Sequence, residues 1–456
     1  MDYNLPEEIQ ILKETVRRFV DKELIPLERE YRHDSEGPMP EHLLKPLQEK
    51  TKAMGLWMLD VPAEYGGAGL GLLPRCIIHE EIARAASLPF RSLELFGPEV
   101  RPVLFHCNDE QKERFLKPVL RGELKFCFAQ TEPDAGSDPA NMRTRAVQDG
   151  DSFIINGTKR VITAAGRADY AQLMAVTDTE KRARGGITCF AVDLKSPGVL
   201  LERQWPTMMG EAPWQLVFDN VRVPAANVIG QVGGGFSIAQ KWIGEGRIRG
   251  HGARPVGIAQ RALDMMIEYS KVRSTFGRPL ADRQAIQFMI ADSAMELHAV
   301  RNMVYECAWR VDRGEDVRDL SYMVKVMATE MASRVVDRSI QVHGGHGLMK
   351  ELPLEWWYRQ IRSTRITEGA NEVLRWRLGQ NIIRDNHVYV ACQTDDDLPY
   401  VLKYSGEDNI VIGSDYGHAD TSAEIEALRK FKAMGEVEPR VIDKILYDNA
   451  KALYGL

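Results

Sequence analysis

The chain has 456 residues, of which 44% are hydrophobic and 27% are charged, and its formal net charge is −6. That length allows about three domains, and the composition is ordinary for a globular protein. The acidic balance argues against a general binder of nucleic-acid phosphates. No apolar run approaches the ~20 residues that a membrane-spanning helix needs, so we expect no membrane span.

Six cysteines are scattered along the chain without a Cys-x-x-Cys pair. Such isolated thiols are typical of proteins in a reducing compartment. The first residues, including Glu7 and Glu8, resemble neither a secretory signal nor an Arg-rich transit peptide. We therefore expect a cytoplasmic protein that binds no nucleic acid.

Three domains are predicted in chain order. Residues 1–124 are expected to be helical, because apolar residues from Ile11 to Leu24 recur at helical spacing. Residues 125–235 alternate short apolar runs with turn residues such as those at 149–151, which predicts a small β domain built from hairpins. Residues 236–385 carry three long stretches with helical spacing, which predicts a bundle. The expected fold class is α+β.

The last part of the chain, residues 386–456, breaks from the bundle pattern. Residues 388–390 and 410–412 are predicted strands, and residues 423–434 and 441–453 are predicted helices. We therefore expect a short α/β tail fragment after the bundle.

Two separated motifs carry the candidate chemistry. Residues 128–138 read Phe-Ala-Gln-Thr-Glu-Pro-Asp-Ala-Gly-Ser-Asp, whose hydroxyls, amides and glycine turn could grip an extended cofactor. Residues 367–372, Thr-Glu-Gly-Ala-Asn-Glu, place the carboxylate of Glu368 beside Gly369, which lacks a Cβ and lets a ligand approach the backbone. Taken alone, Glu368 fits a glutamate stabilised by the dipole of a helix that begins near Asn371.

Three further motifs stand in the same chain: Val-Ile-Thr at 161–163, Arg-Ser-Thr-Phe-Gly at 273–277, and Gln-Val-His-Gly-Gly-His-Gly at 341–347. In this order, with the glutamate last, the motifs resemble the acyl-CoA dehydrogenase family over roughly residues 5–384. The resemblance implies an N-terminal helical domain, a central β domain and a C-terminal four-helix bundle. It also implies FAD as the cofactor and a homo-oligomer, a tetramer or a dimer.

The resemblance assigns roles to individual residues. Glu368 would be the catalytic base that takes an α-proton from an acyl-CoA thioester, while the flavin accepts the β-hydride. Cofactor contacts fall on Phe128, Gln130, Thr131, Ser137, Thr163, Arg273, Thr275, Phe276, Gln284, Gln341, Gly344, Gly345 and Asn371. Substrate contacts fall on Ser137, Arg247 and Gly369. No metal is expected, because the His-x-x-His at His343 and His346 belongs to the glycine loop.

The implied reaction is the dehydrogenation of an acyl-CoA to the 2-enoyl-CoA, with an electron-transfer flavoprotein as the acceptor. The alternative is a flavin-dependent monooxygenase or oxidase on the same fold, and a monooxygenase has no use for an α-proton base at Glu368. Some family members carry the base on the bundle helix, but the corresponding position here is Gly246. Glu94 indicates either a substrate with a polar tail or a surface glutamate.

The tail resembles something unrelated, the last strand and helices of an amidohydrolase-type metal-dependent barrel. Asp415 matches the aspartate that serves the metal site in that family. A barrel of this kind needs about 200 residues or more, and its opening His-x-His pair is absent upstream. We therefore expect residues 386–456 to be a severed fragment without activity of its own.

Overall fold

The computed structural model describes residues 5–31, 39–88, 94–386, 388–393, 396–413, 426–433 and 435–456. Two compact units divide the chain: the first ends at Asn371 and the second begins at Glu372. Asp415, which the sequence matches to a metal-site aspartate, lies outside the described residues. No helix in the described part of the chain is long and apolar enough to cross a membrane.

The N-terminal part of the first unit is helical, as predicted. Its helices are α1 (Glu7–Phe19), α2 (Ile25–Leu27), α3 (Glu41–Ala53), α4 (Leu72–Ile82), α5 (Asp109–Gln111) and α6 (Lys117–Leu120). The predicted apolar stripe forms the buried face of α1 and of the π-helical turn Val20–Leu24 that follows it, where Val16 and Leu24 are fully buried. Ile11, predicted on the same stripe, is 57% exposed.

The central part is a β domain. Its strands are β1 (Phe126–Ala129), β2 (Arg145–Asp149), β3 (Ser152–Ile162), β4 (Tyr170–Val176), β5 (Ile187–Asp193), β6 (Val199–Gln204), β7 (Trp214–Pro224) and β8 (Val228–Ile229). They form one sheet in the order β6-β7-β3-β2-β4-β5-β8, with β1 parallel to β4. Asp149 pairs with Ser152, and Gly150 has a φ of +62°, so the predicted Asp-Gly hairpin is confirmed.

Long helices follow the sheet. They are α7 (Gly235–Ile248), α8 (Arg254–Val272), α9 (Gln284–Asp312), α10 (Arg318–His343) and α11 (Leu354–Thr364), with a small hairpin of β9 (Ser274–Thr275) and β10 (Arg278–Pro279). The helices α8 to α11 bury their apolar faces in one core together with α4. Asp312, at the end of α9, accepts a hydrogen bond of 2.9 Å from the backbone N–H of Leu73 and so caps α4. This arrangement confirms the predicted α+β class.

The second unit begins inside α12 (Asn371–Asp385), whose residues from Glu372 onward belong to it. That unit contains β11 (Val390–Cys392), α13 (Leu398–Ser405), β12 (Ile410–Ile412), α14 (Ala427–Ala433), α15 (Pro439–Asp443) and α16 (Asn449–Tyr454). The strands β11 and β12 pair in parallel, with Val390 opposite Ile410. The predicted strand at 410–412 is confirmed, the other strand lies two residues later than predicted, and α13 was not predicted.

Candidate active site

Glu368 lies in the turn between α11 and α12. Its φ is +56°, a left-handed conformation that costs a non-glycine residue about 1–3 kcal/mol. The backbone N–H of Asn371 donates to the carbonyl oxygen of Arg365 at 3.0 Å and closes the turn. Because α12 begins only at Asn371, Glu368 precedes the helix and does not lie in its first turn. Strain of this kind persists only where surrounding contacts hold it.

Two cations hold the backbone of this turn. Arg247, from α7, donates from Nε to the carbonyl oxygen of Glu368 at 2.8 Å. Lys325, from α10, donates from Nζ to the carbonyl oxygen of Gly369 at 2.7 Å and to Oδ1 of Asn371 at 2.8 Å. Burial lowers the pKa of Arg247 from its ordinary value, while Tyr322 and Glu368 raise it. The turn is therefore fixed from two helices.

Asn371, predicted as a cofactor contact, is fully buried in this structure. Its side-chain amide donates to Oγ1 of Thr329 and to Oε1 of Glu330, each at 3.1 Å. Because its side-chain oxygen also accepts from Lys325, Asn371 ties the turn to helix α10. Its contact with a cofactor stays a prediction.

The carboxylate of Glu368 is enclosed, with 28% of its side chain exposed. Nδ1 of His251 lies 3.2 Å from its Oε2, although the pair lacks the angle of a hydrogen bond, and neither atom has a hydrogen-bond partner among the described residues. Nε2 of His251 lies 2.7 Å from Oγ1 of Thr367. A Cβ on Gly246 would stand 2.8 Å from Oε2, so glycine at this position leaves room for the carboxylate.

The surroundings keep this carboxyl acidic. Burial raises the pKa of Glu368. The charge and contact of His251, followed by the charges of Arg247 and Arg249, lower this pKa by more than burial raises it. The net result is a pKa below the ordinary value of 4.5. Glu368 is therefore an ionised, partly desolvated carboxylate whose Oε2 is available to accept a proton.

The predicted flavin segments lie side by side in the β domain. The carbonyl oxygen of Thr131, just after β1, accepts a hydrogen bond of 2.8 Å from the backbone N–H of Arg160 on β3. The carbonyl oxygen of Gln130 accepts from Nζ of Lys159 at 2.9 Å. Phe128 packs edge-on against Trp242 of α7, with ring centroids 4.8 Å apart.

A buried ion pair lies beneath these strands. Nζ of Lys159 donates to Oε1 of Glu132 at 2.8 Å, and both side chains are at most 5% exposed. Glu132 also accepts from the backbone N–H groups of Arg143 and Thr144. Burial lowers the pKa of Lys159 to about 8, while the charge and hydrogen bond of Glu132 raise it. The pair fixes the loop that leads to the exposed Ser137.

Strained backbone conformations occur on or beside the motifs that the sequence singles out. Seven non-glycine residues in the described ranges have a positive φ. Four of them fall on the motifs that the sequence singles out or directly beside them: Val161, Ala164, Phe276 and Glu368. Thr163, a predicted flavin contact, lies between two of these residues and is partly exposed. Such clustering is typical of ligand and catalytic sites.

The remaining predicted cofactor residues lie on the surface. Phe276, at the tip of the β9–β10 hairpin, is 97% exposed, and Arg283 donates to the carbonyl oxygen of neighbouring Thr275 at 2.5 Å. The others are also exposed: Arg273, Gln284, Gln341, Gly344 and Gly345. His343 stacks on Tyr269 with ring centroids 4.3 Å apart. The described residues contain no group of three or more His, Cys, Asp or Glu side chains placed to hold a metal ion.

Sequence reasoning found Arg247, Glu368 and Gly369, which the structure brings together, but it missed three residues around them. These are His251, Lys325 and Thr367. His251 follows Arg247 by four positions, a spacing that would place both side chains on one face of a regular helix, but the π-turn Arg249–Ala253 interrupts that regular spacing. Lys325 gave no such signal, because a lysine inside a helix is usually exposed.

Three family models match the chain in order. They are the N-terminal domain of acyl-CoA dehydrogenase at residues 6–123, the middle domain at residues 127–221, and the C-terminal domain at residues 233–383. None of these matches extends into residues 386–456.

Characterised proteins match over most of the chain. The (R)-benzylsuccinyl-CoA dehydrogenase of Thauera aromatica is 36% identical over 402 residues, which cover 85% of this chain and 98% of that protein. The caffeyl-CoA reductase–Etf complex subunit CarC of Acetobacterium woodii is 37% identical over 372 residues, 80% of this chain and 96% of that protein.

Solved structures agree. The butyryl-CoA dehydrogenase of Megasphaera elsdenii superposes with a TM-score of 0.73 at 32% identity, over 84% of this chain and 100% of that one. An FAD complex of PigA gives a TM-score of 0.73 at 27% identity, over 85% of this chain and 99% of that one. The chain belongs to the acyl-CoA dehydrogenase family.

Proposed function

We propose that this protein is an FAD-dependent acyl-CoA dehydrogenase in which Glu368 is the base. The observation that supports this most strongly is the enclosed carboxylate of Glu368, held in a left-handed turn by Arg247. Relatives named for acyl-CoA oxidation or enoyl-CoA reduction match nearly their whole length. The reaction removes two hydrogens from adjacent carbons of an acyl-CoA and yields the 2-enoyl-CoA.

The residues fit FAD. Oε1 of Gln130 is a buried acceptor without a hydrogen-bond partner among the described residues, and the strained Val161 is 54% exposed at the end of β3. The flavin end would lie against Phe128, Gln130, Thr131, Ser137 and Thr163. The pyrophosphate and adenosine end would meet Arg273, Thr275, Phe276, Gln284, Gln341, Gly344 and Gly345, and Asn371 would contact the cofactor from the turn of Glu368. When bound, FAD accepts the hydride that leaves the β-carbon.

The residues of the chain itself bind the thioester and remove its α-proton. The backbone N–H of Glu368 would donate to the thioester carbonyl oxygen, which makes the α-proton more acidic. Oε2 of Glu368 takes that proton, and the electron pair of the broken C–H bond forms the double bond as the β-hydride leaves. Gly369 leaves room for the thioester beside the turn, and Ser137 and Arg247 contribute to binding of the acyl-CoA.

The direction of the reaction and the alternative chemistry depend on the same carboxylate. CarC is named a reductase, and a protonated Glu368 can return its proton to the α-carbon in that direction. A monooxygenase, the first form of the alternative from the sequence, has no use for the carboxylate that lies between Arg247 and His251. We therefore favour α,β-dehydrogenation or its reverse over oxygen chemistry.

The acyl group is less defined than the reaction. Glu94, which the sequence linked either to a polar substrate tail or to the surface, is 20% exposed. Its Oε1 lies 3.6 Å from Arg167 and 3.7 Å from Lys125. Two cations therefore already compensate the charge of Glu94. Because the polar-tail interpretation stays open, thioesters with a carboxyl or an aryl tail are included among the test substrates.

We also propose an electron-transfer flavoprotein as the electron acceptor, because CarC is named as a subunit of an Etf complex. The exposed aromatic ring of Phe276 and the surface position of Arg273 favour a homo-oligomer, a tetramer or dimer, in which a neighbouring subunit covers the adenosine end. A cytoplasmic location remains our proposal from the scattered thiols.

The division of the chain also stays a proposal, with domains at 1–124, 125–235 and 236–385 and a tail at 386–456. The parallel β11–α13–β12 arrangement is what a piece of an amidohydrolase-type barrel would contain. We propose that the tail is such a fragment, without catalytic activity. A chain truncated after residue 385 should then retain the activity of the full chain.

The experiment is an anaerobic titration of the purified holoprotein with acyl-CoA thioesters, followed at the oxidised-flavin absorption band. The panel contains straight, branched, aryl and dicarboxyl thioesters, with butyryl-CoA first. Bleaching by one of them supports the proposed reaction, and the ranking of the panel gives the acyl specificity. A yellow protein that no thioester bleaches, but that consumes oxygen with a reductant, would support the oxidase or monooxygenase alternative instead.

A further inference from the structure

His251 is the side chain nearest to the proposed base that the mechanism does not yet use. Its Nδ1 lies 3.2 Å from Oε2 of Glu368, and 12% of its side chain is exposed. On its other edge, Nε2 lies 2.7 Å from Oγ1 of Thr367. The imidazole therefore bridges two consecutive residues of the strained turn.

A local irregularity in the helix brings His251 to this position. The segment Arg249–Ala253, between α7 and α8, is a π-helix, and π-turns inserted in long helices are often found at functional sites. A glycine stands on each side of His251, and a Cβ on Gly252 would stand 2.7 Å from a methyl group of Val324 on α10. The π-turn thus packs closely against α10 while it presents the imidazole to the turn of Glu368.

The charged groups around the pair come from three elements. Arg247, near the end of α7, and Arg249, in the π-turn of His251, both lower the pKa of Glu368. Lys325, from α10, binds the carbonyl oxygen of Gly369. Among the neighbouring side chains, His251 makes the largest contribution to lowering the pKa of Glu368. Removal of the imidazole should therefore change the pKa of Glu368 more than removal of a distant charge.

We propose that His251 is a positioning residue for the base: it holds the Glu368 carboxylate in one orientation before the α-proton arrives. Thr367 in turn orients the imidazole through Nε2. This inference rests on the proposed function, because it assigns to His251 a task only if Glu368 is the base. The imidazole itself exchanges no proton with the substrate.

The test compares His251→Leu, His251→Gln, Thr367→Val and a matched control, His298→Leu, whose histidine is exposed on α9. Single-turnover bleaching by butyryl-CoA is measured from pH 4 to 9, so that the range reaches below the ordinary pKa of 4.5 for Glu368. Binding of acetoacetyl-CoA, which has an acidic α-proton, is measured over the same range. Acetoacetyl-CoA reports proton transfer to the protein without oxidation. FAD content and the thermal midpoint are recorded for each variant.

We expect His251→Leu to bleach about tenfold more slowly at neutral pH, because the carboxylate is misoriented. Since removal of His251 raises the pKa of Glu368, the acidic limb of both pH profiles should move to higher pH. His251→Gln, which keeps a donor, and Thr367→Val should show smaller shifts in the same direction. His298→Leu should match the wild type.

The inference is overturned if His251→Leu bleaches at the wild-type rate with an unchanged acidic limb. If His251→Leu loses FAD or its fold, His251→Gln and Thr367→Val decide, and unchanged pH profiles in both overturn the inference. A wild type that neither bleaches with any thioester nor binds acetoacetyl-CoA overturns the proposed function as well. Failure of the inference alone is therefore distinct from failure of the function.

Discussion

The turn around Glu368 and the hairpin around Phe276 differ in how far one chain completes them. The turn is enclosed by Arg247, His251 and Lys325, and its strain is held from two helices. The hairpin tip carries a 97% exposed aromatic ring. Both residues have a positive φ, yet only Glu368 has its surroundings in place. The proposed proton chemistry is thus built within one chain, whereas the proposed adenosine end of the cofactor site would need a neighbouring subunit to cover it.

The largest effect on the enclosed turn should come from Lys325→Met. The change leaves the carbonyl oxygen of Gly369 and Oδ1 of Asn371 without the lysine, and a buried unsatisfied acceptor costs about 1–3 kcal/mol. Because the turn is then no longer held in place, the Glu368 carboxylate is misplaced, and bleaching by butyryl-CoA should slow by about 100-fold. The control is Lys271→Met, whose lysine pairs with Glu268 on the surface. Equal rates in both variants would contradict a role for Lys325 in holding the turn.

A smaller effect is expected from Gly246→Ala. The new Cβ would stand 2.8 Å from Oε2 of Glu368, so the carboxylate has to move, whereas a Cβ on Gly244 meets nothing within 4 Å. We expect bleaching to slow by about tenfold in Gly246→Ala, with FAD content unchanged. Gly244→Ala gains the same helix propensity and serves as the control. If stopped-flow rates for the two variants agree, the carboxylate does not need the space that Gly246 leaves.

The exposed hairpin should respond differently. Phe276→Ala removes an aromatic side chain that contacts little within its own chain, so the thermal midpoint of the apoprotein should stay close to that of the wild type. FAD retention after gel filtration and the oligomeric mass should fall, while the fraction that keeps FAD bleaches at the normal rate. Ile11→Ala, at a residue 57% exposed on α1, is the control. Full FAD retention and unchanged mass in Phe276→Ala would remove the hairpin from the cofactor and subunit site.

The sequence predicted the fold class well, because apolar periodicity and the Asp-Gly hairpin are local signals. The motifs also singled out Arg247, Glu368 and Gly369, and the structure places these three residues together. The π-turn at Arg249–Ala253 could not be predicted in this way, since its five residues are too few to show a helical period of their own.

Long-range polar contacts were the other omission. Lys325 is fully buried and binds Gly369, which lies 44 residues away in the chain. A buried lysine is rare and gains its stability from partners that sequence reasoning does not see. The same limit applies to Glu94, whose two cationic partners come from other segments of the chain.

The most direct test of Glu368 as the base is the anaerobic bleaching of FAD by an acyl-CoA in Glu368→Gln, measured beside the wild type. Glutamine fills the same space but cannot accept the α-proton. We predict that Glu368→Gln retains FAD and binds the thioester but is not bleached on the timescale of the wild type. Bleaching of Glu368→Gln at the wild-type rate would contradict the assignment of Glu368 as the base.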